Sequence, residues 1–191
     1  MKLNASLIAL PLLLGMTTTA IAGDQDLPEA KQTERGLYLN AGEAHALKEA
    51  EGSNIALVDV RTRAEAAFVG MPSNADAMIP FLNINLDQWD DENNFFELSR
   101  NEDFLASVEL LLARMNLDKD SKVLLICRSG GRSAAAANLL AKAGFSQVYT
   151  ITDGFEGDKA KAGAAKGTRS VNGWKNSGAP WSSKLDKVKI F

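Results

Sequence analysis

The stretch Val123-Leu124-Leu125-Ile126-Cys127-Arg128-Ser129-Gly130-Gly131-Arg132-Ser133 runs straight into a series of alanines that begins at Ala134. Its first four residues form a short branched apolar run, the pattern of a strand buried on both faces, and residues 134–143 read as a helix. Between them a short loop holds the chain's only cysteine, two glycines and two arginines. Successive backbone N–H groups on such a turn, together with the start of a helix, stabilise an anion. The same field favours the thiolate form of a cysteine, which is its nucleophilic form. The loop is therefore a candidate reactive site on a strand-to-helix turn.

Outward from it, the chain alternates strands and helices. Asn40 is a candidate cap for a helix through Ala44, Leu47 and Lys48 that Gly52 would close. Residues 55–60 read as a buried strand. Thr62 and Glu65 have capping-box spacing and open a short helix ending near Gly70. Residues 75–81 suggest a short strand that Pro80 places near an edge. Residues 82–100 carry Trp89, Phe95 and Phe96 among acids and asparagines and give no assignable pattern. Phe104, Leu105, Val108, Leu111, Leu112 and Met115 fall at helical spacing, which predicts an amphipathic helix over 102–115 with its stripe in the core. Beyond the alanine-rich helix, Gly144 suits the C′ position and residues 147–151 suggest a further strand. This order predicts an α/β fold of three layers, with a central, largely parallel sheet covered by helices on both faces. Reactive loops in such sheets lie beyond the carboxyl ends of strands, where Arg61 and Cys127 both fall. Residues 160–167 are small or lysine and read as a surface insertion. The tryptophans of the 172–181 segment are expected to pack back on the body.

Composition sets the outer limits. Lys2, the apolar run from Leu7 to Met16 and Ala20-Ile21-Ala22 have the layout of a secretory signal peptide. Domain boundaries follow: a signal over 1–22, a lead-in over 23–39, the domain over 40–182 and a tail over 183–191. Export to a bacterial periplasm is the expected destination, with no stable membrane insertion after cleavage. Removing Lys2 from the 21 basic residues leaves 20 against 24 acidic ones. That balance argues against a nucleic-acid partner, which would require a basic face. A single cysteine rules out an intramolecular disulfide and is an oddity in an exported chain.

Two motifs in this order, Asp59-Val60-Arg61 after a strand and Cys127-Arg128-Ser129-Gly130-Gly131-Arg132-Ser133 before a helix, resemble the rhodanese (sulfurtransferase) family. The segment from Gly173 to Pro180 is similar to that family's closing segment, so the resemblance covers roughly 40–181. It implies that Cys127 carries sulfane sulfur as a persulfide, from thiosulfate or a similar small sulfur-containing anion to cyanide or to a thiol. The lone cysteine makes that thiol external, either a small molecule or a partner protein's cysteine. The resemblance implies no cofactor and no metal. Arg128, Ser129, Gly130, Gly131, Arg132 and Ser133 would form the substrate loop, with Arg128 the readier donor contact and Arg132 a brace. Asp59 and Arg61 would support the loop as an ion pair. Cysteine-dependent phosphatases related to this family place five residues between cysteine and arginine, whereas four separate Cys127 from Arg132. The shorter loop favours sulfur over phosphate. A non-catalytic binding module of the same fold is the first alternative, ahead of the phosphatase. The family's Gly-His-Ile-Pro-Gly-Ala segment is replaced here by residues 69–76, Val-Gly-Met-Pro-Ser-Asn-Ala-Asp.

Overall fold

The computed structural model describes residues 27–191; the expected signal segment lies outside them. Among the described residues nine strands and four α-helices follow one another as β1 (Tyr38–Leu39), α1 (Ala41–Glu51), β2 (Ala56–Asp59), α2 (Arg63–Val69), β3 (Met71–Pro72), β4 (Ala77–Met78), β5 (Leu82–Asp90), β6 (Phe95–Arg100), α3 (Phe104–Arg114), β7 (Lys122–Ile126), α4 (Gly131–Lys142), β8 (Gln147–Ile151) and β9 (Trp181–Ser182). Two helices begin in capping boxes: Asn40 with Glu43 opens α1, and Thr62 with Glu65 opens α2. Each satisfies two orphan donors at a helix start reciprocally.

Five strands form one parallel sheet in the order β1-β8-β7-β2-β4. Alternation along β7 sends Val123 and Leu125 to one side and Leu124 and Ile126 to the other. The first side packs with Phe104, Val108, Leu111 and Leu112 of α3 and Ala136, Ala137 and Leu140 of α4. The second packs with Ala41 and Ala44 of α1, Ala66 of α2 and Trp174. Burial on both faces explains why these strands read as unbroken apolar runs. The three-layer α/β expectation holds.

Several segments differ from the sequence reading. Helix α4 starts at Gly131, so Arg132 and Ser133 belong to its first turn and not to the loop before it. Tyr38–Leu39, assigned above to the lead-in, pair with Thr150 and Ile151 as a sheet edge. A short turn at Glu29–Lys31 lies against the start of α4, and the Glu34 N–H donates to Asn138 Oδ1 at 2.8 Å. The C-terminal residues also join the sheet, where Ile190 bridges Met78 and the Phe191 N–H donates to the Met78 carbonyl at 3.0 Å. The unassigned 82–100 stretch is an antiparallel hairpin of β5 and β6, a separate two-stranded sheet.

Candidate active site

Register brings the two motifs together. Asp59 lies opposite Ile126, and the Val60 N–H donates to the Ile126 carbonyl at 2.8 Å. The chain therefore leaves β2 as Asp59-Val60-Arg61 and β7 as Cys127-Arg128 side by side, at the carboxyl ends of adjacent strands. Cys127 is 1% exposed and forms the floor of the loop. Its Sγ accepts the Gly130 N–H at 3.1 Å and lies 3.5 Å from Ser133 Oγ. The Ser133 hydroxyl also donates to the Gly130 carbonyl at 2.9 Å and meets Thr150 Oγ1 at 2.7 Å. No side chain caps α4. The amides of Gly131, Arg132 and Ser133, in its first turn, have no intrahelical acceptor.

Gly130 is what the loop conformation demands. Its φ is +101°, and a Cβ there would come within 2.3 Å of the Thr152 carbonyl oxygen. Gly131 is not so constrained. It occupies the first position of α4, and a Cβ would sit 3.5 Å from the Ala30 carbonyl oxygen, an ordinary contact.

The two loop arginines do different things. Arg132 forms a two-pronged pair with Glu65, with Nη1 to Oε2 at 2.7 Å and Nη2 to Oε1 at 2.5 Å. This joins the start of α4 to the capping box of α2. Burial raises the Glu65 carboxyl, but the hydrogen bonds and charge of Arg132, with the bonds from Thr62, outweigh it and bring its pKa down to about 2. Burial disfavours the charged Arg132, but Glu65 and, more weakly, the charges of Cys127 and Asp59 raise its pKa above the ordinary value. Arg128 is exposed and takes no part in the ion pairs among the described residues.

Asp59 and Arg61 are both fully buried and paired, with Arg61 Nη2 donating to Asp59 Oδ2 at 2.6 Å and Arg61 Nε to Oδ1 at 2.9 Å. The guanidinium also donates to the Gly70 carbonyl at 2.7 Å and stacks over the Phe155 ring, 4.0 Å from its centre. The Phe155 N–H donates to the Cys127 carbonyl at 2.8 Å, and the Glu156 N–H to the Arg128 carbonyl at 3.0 Å. The pair thus reaches the loop through Phe155.

Sequence reading missed Asp153, Gly154 and Phe155, and saw Glu65 only as a helix cap. Gly154 has φ +64°, and a Cβ there would come within 2.6 Å of the Cys127 carbonyl oxygen. Asp153 accepts the Ala41 N–H and the Gly173 N–H, each at 2.8 Å, and so ties α1 to the closing segment. Burial raises its carboxyl above the ordinary value against the pull of those amides. The only available signal was position, since 153–155 directly follow a parallel strand. Trp174 is fully buried, as expected; its backbone N–H donates to the Gly154 carbonyl at 2.8 Å and its indole N–H to the Pro180 carbonyl at 2.9 Å, while Trp181 stays 41% exposed. Among the described residues no cluster of His, Cys, Asp or Glu is arranged to hold a metal ion, and no helix is long and apolar enough to cross a membrane.

A buried thiol cradled by amides at a helix start, at the carboxyl edge of a five-stranded parallel sheet, defines a class of single-cysteine α/β proteins. The family model described as a rhodanese-like domain matches residues 40–161, and the chain belongs to that family. It is 35% identical over 131 residues to an uncharacterised protein of Rickettsia prowazekii, covering 68% of this chain and 84% of that protein. It is 33% identical over 136 residues to rhodanese-like domain-containing protein 9, chloroplastic, of Arabidopsis thaliana, covering 64% of this chain and 54% of that protein. A crystal structure of a protein from M. tuberculosis superposes with a TM-score of 0.53 at 27% identity, over 77% of this chain and 97% of that one.

Proposed function

We propose that this protein is an exported sulfurtransferase in which Cys127 carries sulfane sulfur. The observation that carries the reading is the Gly130 N–H directed at Cys127 Sγ from the uncapped start of α4. Fixed amide dipoles there stabilise negative charge on sulfur without reorganisation. The Cys127 thiolate attacks the outer sulfur of thiosulfate, the S–S bond of the donor breaks, and its electron pair leaves with sulfite. The terminal persulfide sulfur then carries the charge among the first-turn amides. A thiolate or cyanide attacks that sulfur, Cys127 leaves as thiolate, and the product is an acceptor persulfide or thiocyanate. No general base is required once the thiol is ionised. Arg128, exposed at the rim, steers the anionic donor.

The Arg132–Glu65 pair favours this reading over ester hydrolysis. A guanidinium held on both prongs by a carboxylate is not free to grip the oxygens of a tetrahedral phosphate. Intact cysteine and loop geometry favour it over a docking module that does no chemistry.

Incubation with thiosulfate should raise the intact mass by one sulfur atom. Cyanide should reverse the gain, and Cys127→Ser should abolish it. Equal behaviour of wild type and variant would remove the catalytic reading, and brisk cysteine-dependent turnover of a phosphate ester would install the phosphatase instead. Export is tested by the N-terminal sequence of the protein from a periplasmic fraction, which should begin near Gly23.

A further inference from the structure

The β5–β6 hairpin stands as an arm beside the cysteine loop. At its base the Asn101 N–H donates to the Phe81 carbonyl at 3.0 Å, and Asn101 Nδ2 donates to the Pro80 carbonyl at 2.7 Å. Within the arm Phe96 packs edge-to-face on Trp89 and Phe95, at 5.3 and 6.0 Å between ring centres. Phe95 and Leu98 nonetheless remain 48% and 40% exposed, and Phe68 of α2 is 89% exposed. Single exposed apolar residues are ordinary. These three are not isolated, because with Ile84 and Val69 they line one groove of about 530 Å³ that also includes Arg128 and Arg132. The groove therefore runs from the rim of the cysteine loop, at Arg128 and Arg132, to the arm. Its two ends differ in charge. Arg128 lies at the loop end, whereas the turn Asp90-Asp91-Glu92 precedes the groove residue Asn93 at the arm end.

We propose that this groove docks the sulfur acceptor, and that the acceptor is a cysteine-bearing segment of a partner protein. The inference rests on the sulfur-transfer reading and specifies its substrate class. An acidic residue beside the reacting cysteine meets Arg128, an apolar side chain lies among Phe68, Phe95 and Leu98, and a basic residue faces the acidic turn. The charges at the two ends set the direction of the segment. A small polar thiol would leave the apolar lining in water, whereas a peptide side chain covers it. With a single cysteine in the chain, no internal thiol can discharge the persulfide, and the acceptor comes from outside. In that step the acceptor thiolate bonds to the outer sulfur, the persulfide S–S bond breaks, and Cys127 departs with the electron pair.

The test uses the protein loaded from thiosulfate, with loading checked by mass. Discharge is timed with two blocked peptides that differ only in the apolar residue, Asp-Cys-Leu-Ala-Lys and Asp-Cys-Ser-Ala-Lys, and with cyanide as the reference acceptor. Wild type should prefer the first peptide by about tenfold, the scale set by covering one leucine side chain. The double variant Phe68→Ser/Leu98→Ser should lose that preference relative to cyanide. Both positions are exposed, so the variant retains the fold. Equal rates for the two peptides, or a preference that survives in the double variant, would overturn the docking site while leaving sulfur transfer intact. Failure to load sulfur would overturn both.

Discussion

At the scale of single residues, the reactive loop depends on where a Cβ can and cannot go. Gly130→Ala would force a side chain into the left-handed region and to 2.3 Å from the Thr152 carbonyl oxygen. Its expected cost is about 2–4 kcal/mol in urea denaturation, with loss of sulfur loading. Gly131→Ala, at the first position of α4, makes only a 3.5 Å contact with the Ala30 carbonyl oxygen. It should be neutral or stabilise by up to about 1 kcal/mol through reduced backbone entropy of the unfolded chain. Equal losses at both positions would contradict the assignment of Gly130 as the constrained glycine. Arg128→Ala should slow loading from thiosulfate severalfold and flatten its dependence on ionic strength, because the residue acts as an exposed charge. An unchanged rate would leave Arg128 without a role in donor capture.

Between elements, the Glu65–Arg132 pair matters most. It joins α2 to α4 across the mouth of the loop, and Glu65 serves at the same time as the third-position partner of the Thr62 cap. The folded pKa of Glu65, about 2, lies below its unfolded value of 4.5. Its stabilisation is thus fully present above pH 4.5 and is lost as the pH falls toward 2. Glu65→Gln should cost about 2 kcal/mol at pH 7, where it leaves Arg132 partly buried without its partner. The gap between wild type and variant should close over that acid window, read from urea midpoints at several pH values. A gap independent of pH would mean that the pair contributes through packing alone.

At the scale of the molecule, the site is held by segments far apart in the chain. The Gly154 carbonyl accepts the Trp174 N–H, and the Phe155 N–H donates to the Cys127 carbonyl, so the closing segment braces the loop at one remove. Trp174→Ala keeps that backbone bond but removes the indole, whose Nε1–H donates to the Pro180 carbonyl at 2.9 Å, and should cost about 3–5 kcal/mol by opening a cavity in the buried core. It should also slow sulfur loading under conditions where circular dichroism still shows a folded protein. A destabilised variant with wild-type loading would show that the closing segment stabilises the fold without shaping the site.

Local chemistry made much of this protein legible in its sequence. The branched runs of β2 and β7, the capping boxes at Asn40 and Thr62 and the glycines at 52, 130 and 144 each state their structure within a few residues. The spacing from Cys127 to Arg132 and the earlier Asp59-Val60-Arg61 placed two motifs at the carboxyl ends of parallel strands. What sequence could not supply was pairing. β1 and β9 are two residues long and carry no period of their own, and the β5–β6 register shifts between Asn85 and Trp89, which breaks the alternation that would have revealed the hairpin. Glu65 is legible as a cap but not as the partner of an arginine 67 residues away. Residues 123–133 thus fix a thiol on a strand-to-helix turn by themselves, because backbone preference and burial act locally. The braces on that turn, and the groove leading to it, exist only once the sheet brings distant segments within hydrogen-bond reach.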